Sequence, residues 1–159
     1  MTRPGSSGVK MVDISGKAIT YREAKAKGSI RLRRETIEKI MSGAIEKGDV
    51  FTTAQIAGIL AAKRTHELIP MCHPIPITHA SVHLDIVDDK VVVETVVKTT
   101  SKTGVEMEAL TAATIALLTV WDMVKRYEKD EKGQYPYTSI VEVKVESKLK
   151  GEEFEKDSI

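Results

Sequence analysis

The sequence predicts an α+β fold, and three features of the chain indicate it. Segments rich in β-branched residues alternate with segments whose apolar residues recur at helical spacing. Two of the strand-like segments are separated by a short acidic turn, which is typical of a hairpin. The order is strand, two helices, hairpin, helix, strand. This order matches a ferredoxin-like (split βαβ) fold with an additional helix, in which an antiparallel sheet packs against helices.

The first half of the chain supplies one strand and two helices. Thr20–Arg31 is a mixed stretch that we interpret as a strand. Glu35–Glu46 carries apolar residues at helical spacing, and Gly48 is expected to end that helix. Thr52–Gln55 has the pattern of a capping box, which predicts the start of a second helix that runs to about Leu68.

The second half supplies the hairpin, the longest helix and a last strand. Ile77–Val87 and Val91–Thr100 are predicted strands, and Asp88-Asp89 between them is a turn signal. A long helix is predicted from about Val105 to Tyr127. The alternating apolar residues of Thr138–Val145 predict the final strand.

A length of 159 residues favours a single domain. We place that domain at residues 11–149, after a polar lead-in at residues 1–10 that we expect to be disordered and that has no apolar signal-peptide core. Residues 150–159 are mostly polar and are expected to fray.

The bulk charge and the cysteine content exclude several classes of protein. There are 24 Lys and Arg residues against 23 Asp and Glu residues, so the net charge of +1 favours neither nucleic acid nor an anionic membrane as a partner. Cys72 is the only cysteine, which excludes a disulfide framework and suits a reducing compartment. The most apolar stretch, Ala109–Val124, contains three threonines and Asp122 and is too polar for a bilayer span. We therefore expect a cytoplasmic protein.

The long helix is the most informative element. Every residue from Ala109 to Val120 is apolar or Thr, which predicts that the helix is buried on all sides and that another subunit covers one face. Charges occur only at its ends, with Glu106 and Glu108 in the first turn and Asp122 and Lys125 near the last. The two glutamates could belong to a functional site or could simply compensate the positive end of the helix dipole. Asp122 and Lys125 could be functional or could form an ordinary helical ion pair.

Glu108 and Asp122 are too far apart to act on one reacting atom within one chain. They are separated by roughly 21 Å along the axis, at about 1.5 Å per residue. Two such helices packed antiparallel across a two-fold axis could bring them into one site. We state this as a hypothesis about the assembly.

The loop after the second helix could bind an anion. Lys63 and Arg64 precede a proline-stiffened loop that carries His73, which indicates either a phosphate pocket or a structural turn with a solvated basic end. Thr99–Gly104 could likewise cradle phosphate at a helix start, or simply end a strand and cap the helix. Adjacent Cys72 and His73 cannot readily chelate one ion, so the sequence predicts no metal site.

Taken together, the motifs resemble those of the MoaC family of molybdenum-cofactor biosynthesis. Each motif is only moderately specific, but their number, order and spacing over about residues 11–130 identify the family. The segments that carry the resemblance are Met11–Lys17, Arg22–Ala24, Lys47–Phe51, Ala57–Ile59, Ala61–Thr65, Leu68–Pro74, Thr103–Ala113 and Asp122–Lys125.

The resemblance implies a lyase. Its substrate would be the cyclised guanosine-triphosphate intermediate, a nucleotide-derived triphosphate, and its products cyclic pyranopterin monophosphate and pyrophosphate. It also implies a hexamer, built as a trimer of dimers, with its sites at subunit interfaces. No cofactor is implied as required, and Mg²⁺ could accompany the phosphates although no ligand motif supports it.

The resemblance also assigns residues to the site. It implies that Asp122, Lys125 and Lys47 are catalytic. The residues that it implies bind substrate are Met71, Cys72, His73, Met107, Glu108, Glu106, Arg22 and Lys63. The chain departs from the family at Glu146–Gly151, where many members have a glycine-rich segment with a functional lysine. Lys148 or Lys150 could take that role.

Two other classes of function compete with the lyase. One is a ferredoxin-like module that senses a nucleotide without turning it over. The other is a subunit with a purely structural role in an assembly, which would show no stabilisation by ligand. Product formation separates the enzyme from both.

Overall fold

The computed structural model describes residues 8–153, and within that range the chain forms four strands and four helices. The predicted lead-in lies largely outside this range, while residues 8–10 are exposed and have no regular structure. The elements, in chain order, are β1 (Thr20–Arg31), α1 (Arg34–Ser42), α2 (Val50–Lys63), α3 (Thr65–Leu68), β2 (Ile77–Val87), β3 (Lys90–Ser101), α4 (Glu106–Glu128) and β4 (Ser139–Glu153).

The strands form one antiparallel sheet in the order β2-β3-β1-β4. Strand β1 pairs with β3 without interruption, from Thr20 opposite Ser101 to Arg31 opposite Lys90. The hairpin turns at Asp88, which adopts a left-handed conformation with φ 57°. This topology confirms the predicted ferredoxin-like α+β fold.

The core lies between the sheet and the helices α2 and α4. Alternate residues of β3, including Val91, Val93 and Val97, are buried against the helices. On α4 the buried face is rich in alanine, which allows the helix to approach the sheet closely. At Gly28 of β1, an added Cβ would lie 2.6 Å from the Glu142 carbonyl oxygen of β4 and 2.9 Å from a Leu117 methyl group of α4.

We expect Gly28→Ala to lower the free energy of unfolding by about 1–3 kcal/mol, the usual cost of overpacking a well-packed core. The new methyl group would meet backbone, which cannot move aside cheaply. Denaturant titration measures the change. Gly16→Ala is the matched control, because no atom lies within 4 Å of its added Cβ. Equal stability of the two variants would contradict the close approach of β1 and β4.

The first helix is shorter than predicted. It ends at Ser42 because Gly43 takes a left-handed C-cap conformation (φ 72°), with its N–H donating to the Ile40 carbonyl at 3.3 Å. The prediction ran to Glu46 because Gly48 was taken as the stop signal. Residues 43–49 are therefore a loop, and Lys47 lies on it.

The second helix begins earlier than the capping-box pattern predicted. Asp49 is the N-cap, and its carboxylate accepts the Thr52 N–H at 3.0 Å. The Gln55 side chain donates instead to the Val82 carbonyl at 3.1 Å. The prediction of one helix to Leu68 was also wrong, because the chain breaks at Arg64 and resumes as the single turn α3.

The last strand is longer than predicted. Strand β4 continues past Val145 to Glu153 and pairs with β1 along its length. Residues 150–153 therefore belong to the sheet and do not fray, while residues 154–159 lie outside the described range. Sequence pattern missed this extension because the added residues are mostly Lys, Glu and Ser, and pairing with β1 overrides their weak strand propensity.

The end of α4 is tied to its neighbours by a buried carboxylate. Glu128 is fully buried, and its carboxylate accepts the Arg33 N–H at 3.1 and 3.2 Å, the Thr138 hydroxyl at 2.7 Å and the Thr36 hydroxyl. It thereby satisfies orphan groups at the start of α1. The start of α1, the start of β4 and the end of α4 are fixed to one another.

Helix α4 is not buried on all sides within one chain. A stripe of exposed residues runs along it through Met107, Thr114, Leu118 and Asp122, and Leu118 is 53% exposed. By length and composition alone α4 would qualify as a membrane span. Its opposite face forms the centre of the core, which is the ordinary position for so apolar a helix in a soluble protein.

Candidate active site

The two ends of α4 each carry a cluster of candidate site residues. At its C-terminal end, which we call the C-terminal cluster, Asp122 binds two lysines. Lys47 Nζ lies 2.9 Å from Asp122 Oδ2 and 3.1 Å from the Asp122 carbonyl oxygen. Lys125 Nζ lies 3.1 Å from Asp122 Oδ1. Residues from a loop and from a helix thus meet at one carboxylate.

The geometry of the C-terminal cluster follows from local structure. Asp122 and Lys125 are three residues apart on α4 and share a face. Lys47 comes from the loop between α1 and α2, which turns back toward α4 at Gly43 and Gly48, both with positive φ. The sequence predicted the Asp122–Lys125 pair, but the approach of Lys47 depends on the tertiary fold.

Electrostatics hold Asp122 in its ionised form. The pKa of its carboxyl group lies below the ordinary value, first because of the hydrogen bond from Lys47 and next because of that from Lys125. The side chain is 57% exposed, so the cluster is not a dry pocket within one chain. Exposed ion pairs contribute only about 0–1 kcal/mol to stability. The cluster therefore contributes little to holding the fold together.

At the other end of α4 lies a second group of residues, the N-terminal cluster, comprising Cys72, Glu106, Glu108 and Lys148. Glu108 is its centre. The residue is only 3% exposed, and neither carboxylate oxygen has a hydrogen-bond partner within residues 8–153. Burial, and to a lesser extent the nearby charge of Glu106, raise the pKa of this carboxyl group from 4.5 to about 7. A buried carboxyl that titrates near neutral pH is a candidate acid–base or ligand-binding group.

The His-bearing loop reaches this cluster through Cys72. Burial raises the pKa of the Cys72 thiol, and the charge of Glu108 adds to the effect. The next residue, His73, places Nε2 2.7 Å from the Val12 carbonyl oxygen. Because a carbonyl oxygen only accepts, His73 Nε2 must carry a hydrogen. The backbone of Val12 thus fixes the orientation of the His73 ring.

A cavity of about 220 Å³ adjoins the N-terminal cluster. Arg22, Glu106, Lys148 and Lys150 line it, and Lys148 Nζ lies 3.2 Å from Glu106 Oε1. The Nε of Arg22 is buried and has no hydrogen-bond partner within the described range. Two lysines from β4 therefore share the cavity with an arginine from β1. Glu23 and Glu106 also line it, so the three cations exceed the carboxylates by one.

The other three candidate residues lie on the surface. Met107 and Met71 are exposed, and Lys63 is the exposed last residue of α2. The structure thus brings Arg22, Cys72, Glu106 and Glu108 near one end of α4, and Lys47, Asp122 and Lys125 near the other. The two ends do not meet within one chain. All eleven assignments to a site remain predictions.

Side chains of the segment Thr99–Gly104 make hydrogen bonds to backbone carbonyls within the fold. The Thr99 hydroxyl donates to the Pro76 carbonyl and the Ser101 hydroxyl to the Thr103 carbonyl, each at 2.7 Å. Lys102 Nζ donates to the Ser15 carbonyl at 3.0 Å. These bonds favour the interpretation as a strand end over a phosphate cradle. Val105 is the N-cap of α4, with no side-chain cap, so the capping part of the prediction was wrong.

Residues 8–153 contain no group of three or more His, Cys, Asp or Glu side chains that could hold a metal ion. The sequence missed two contacts that shape the clusters. One is the pairing of Lys148 with Glu106, which depends on the register of β4. The other is the contact of Tyr127 with the Lys47 loop, which no local pattern signals.

Comparison with known proteins assigns the chain to a family. A model of the MoaC family matches residues 11–151.

Proteins named probable cyclic pyranopterin monophosphate synthase are similar over most of their length. One from Sulfolobus acidocaldarius is 61% identical over 140 residues, covering 88% of this chain and 98% of that protein. One from Pyrococcus horikoshii is 57% identical over 150 residues, covering 94% of each. One from Thermococcus kodakarensis is 54% identical over 153 residues, covering 96% of this chain and 98% of that protein. The resemblance predicted from the motifs is confirmed, and the chain belongs to the MoaC family.

Proposed function

We propose that this protein is a cyclic pyranopterin monophosphate synthase of molybdenum-cofactor biosynthesis. It converts the cyclised guanosine-triphosphate intermediate to cyclic pyranopterin monophosphate and pyrophosphate. Relatives that are 54–61% identical over most of this chain carry the name of that activity. The single structural observation that carries the proposal is the C-terminal cluster, in which two ammonium groups meet one ionised carboxylate.

The chemistry of the products explains what such a cluster would do. Closing a cyclic monophosphate requires a hydroxyl oxygen to attack the α-phosphorus while the bond to pyrophosphate breaks. The hydroxyl proton must be accepted, and negative charge builds on the leaving pyrophosphate. Asp122 and Lys125 form the proton-transfer pair in our proposal, and Lys47 supplies positive charge to the phosphates.

The N-terminal cluster would bind the rest of the substrate. A carboxyl such as Glu108, with a pKa of about 7, can accept or donate hydrogen bonds to the guanine-derived ring according to its protonation. In our proposal Met71, Cys72 and His73 of the loop after α3 also contact the substrate, as do Met107 and Lys63. Arg22 and Glu106 line the adjoining cavity.

The site is completed by a second subunit in our proposal. The exposed stripe of α4 is apolar in its middle and ends at Asp122, and the Thr114 hydroxyl on it is satisfied by the Leu110 carbonyl at 2.8 Å. Two such stripes packed antiparallel would place Asp122 of one chain near the N-terminal cluster of the other. A hexamer built as a trimer of dimers contains such pairs. Light scattering that found a stable monomer at catalytic concentrations would refute the shared site.

Of the two tail lysines, Lys148 is the better candidate for a functional lysine. Its ammonium group pairs with Glu106, and the residue lines the cavity together with Arg22. We expect Lys148→Met to raise KM for the triphosphate about 10-fold or more, because a charge-assisted bond to phosphate contributes about 1.5–3 kcal/mol. Lys150→Met, on the same strand, is the matched comparison. A larger effect at Lys150 would assign the role to that residue instead.

We propose that the enzyme requires no resident cofactor and works in the cytoplasm. The lysines of both clusters supply positive charge that would otherwise fall to a metal ion at the phosphates, and a lone free cysteine suits a reducing compartment. The rate measured after chelation, with and without added Mg²⁺, tests the first point. A rate that depended wholly on Mg²⁺ would refute it.

The decisive experiment is to incubate the purified protein with the cyclised intermediate and to assay pterin product and pyrophosphate together. Stoichiometric release of both supports the proposal. Binding of the intermediate without turnover, by folded oligomeric protein, would support the nucleotide-sensing module instead. Neither binding nor stabilisation by the intermediate would support a purely structural subunit.

A further inference from the structure

Tyr127 makes a contact that the proposed chemistry does not use. It lies on α4, just beyond Asp122 and Lys125. Its hydroxyl oxygen accepts the backbone N–H of Glu46 at 2.9 Å. Glu46 directly precedes Lys47, so a residue of the helix holds the chain next to the one cluster member that comes from a loop.

The ring of Tyr127 is itself held in place. Lys39 Nζ lies 5.3 Å from the ring centroid and Arg126 Cζ lies 5.6 Å from it, both at cation–π distance. Arg126 also forms an ion pair with the Glu46 carboxylate. The backbone and the side chain of Glu46 are therefore both bound by consecutive residues of α4.

The loop needs such an anchor. Gly43 and Gly48 flank it, and their positive φ values mark the two points where its direction changes. Ile45 is buried and provides one fixed point. The Lys47–Asp122 ion pair is exposed and contributes too little to hold a loop in place. The Gly48 N–H donates to the Ile45 carbonyl at 3.0 Å, which closes a turn around Glu46 and Lys47. The hydrogen bond from the Glu46 N–H to Tyr127 ties the backbone of that turn to α4.

We propose that Tyr127 is a positioning residue, whose hydroxyl fixes the Glu46 amide and thereby holds the Lys47 ammonium group against Asp122. The helix that carries Asp122 and Lys125 would thus also set the position of Lys47. The consequence for turnover rests on the proposed function, whereas the geometric statement does not.

The test is to follow the ionisation of the Asp122 carboxyl by ¹³C NMR in Tyr127→Phe, in Lys47→Met and in the double variant. Lys47 and Lys125 are the charged groups bonded to Asp122, so Lys47→Met should raise the pKa of Asp122 toward its ordinary value. Tyr127→Phe should raise it part of the way, because Lys47 then moves more freely. Adding Tyr127→Phe to Lys47→Met should change nothing further.

Turnover gives a second readout. Tyr127→Phe should lower it about 2- to 10-fold, the range expected for loss of one hydrogen bond, and this loss should vanish in the Lys47→Met background. Tyr137→Phe is the matched control, since its hydroxyl bonds Asp89 at the hairpin turn. It should leave the Asp122 titration unchanged.

Two results would overturn the proposal. One is an Asp122 titration in folded Tyr127→Phe that equals that of the unaltered protein. The other is an equal loss of turnover from Tyr127→Phe with and without Lys47. Failure of the proposed function would look different, because the unaltered protein would then show no turnover while the NMR titration stayed readable.

Discussion

Asp122→Asn should lower turnover by about 10²–10⁴-fold, the usual effect of removing a general acid–base group. Asparagine keeps the shape of the side chain but cannot take up a proton or carry the charge that draws Lys47 and Lys125 together. Steady-state assays of pyrophosphate release measure the loss.

Folding should be nearly unaffected by the same substitution. Because the side chain is more than half exposed, we expect the free energy of unfolding to change by about 1 kcal/mol or less. Glu38→Gln is the matched control, since it removes another exposed helical ion pair, with Arg34, far from the clusters in sequence. The control should keep full turnover. If Asp122→Asn lost less than 10-fold while remaining folded, Asp122 would have a binding or structural role instead.

Much of the fold could be predicted because local pattern and tertiary structure agree. The hairpin and α4 were placed within a residue or two, since β-branched runs and the length of the apolar helix leave few alternatives. Strand β1 was placed at its observed bounds although its sequence is mixed. The errors occurred where two local signals competed. Gly43 and Gly48 could each end α1, and Asp49 and Thr52 could each cap α2. The folded chain uses Gly43 and Asp49.

The candidate site was predictable as a set of residues but not as an arrangement. Asp122 and Lys125 share a helix, so their pairing follows from spacing alone. Lys47 joins them only because α1 stops at Gly43 and the following loop turns toward α4. The burial of Glu108 could not be predicted from its position in the first turn of α4, because a solvated glutamate that compensates the helix dipole occupies the same position.

The burial of Glu108 leads to a second prediction, in which stability and activity change in opposite directions. In the folded protein the carboxyl group has a pKa of about 7, raised from 4.5 by burial, so the folded state holds its proton more tightly than the unfolded state does. The stabilising effect is fully present below about pH 4.5 and is lost as the pH rises through 7. At about 1.36 kcal/mol per pKa unit, roughly 3 kcal/mol is lost over that interval.

Glu108→Gln should remove this loss, because glutamine resembles the neutral acid and does not ionise. Denaturant titration at pH 8 should show the variant to be more stable than the unaltered protein by up to a few kcal/mol, and the difference should shrink toward pH 5. Turnover should nevertheless fall, because the variant cannot exchange a proton at the substrate ring. Glu106→Gln, two residues earlier and partly exposed, should retain the pH dependence of stability. Lower stability of Glu108→Gln at pH 8 would mean that a cation of a second subunit pairs with the carboxylate in the assembly, and the site would then have to be rebuilt around that pair.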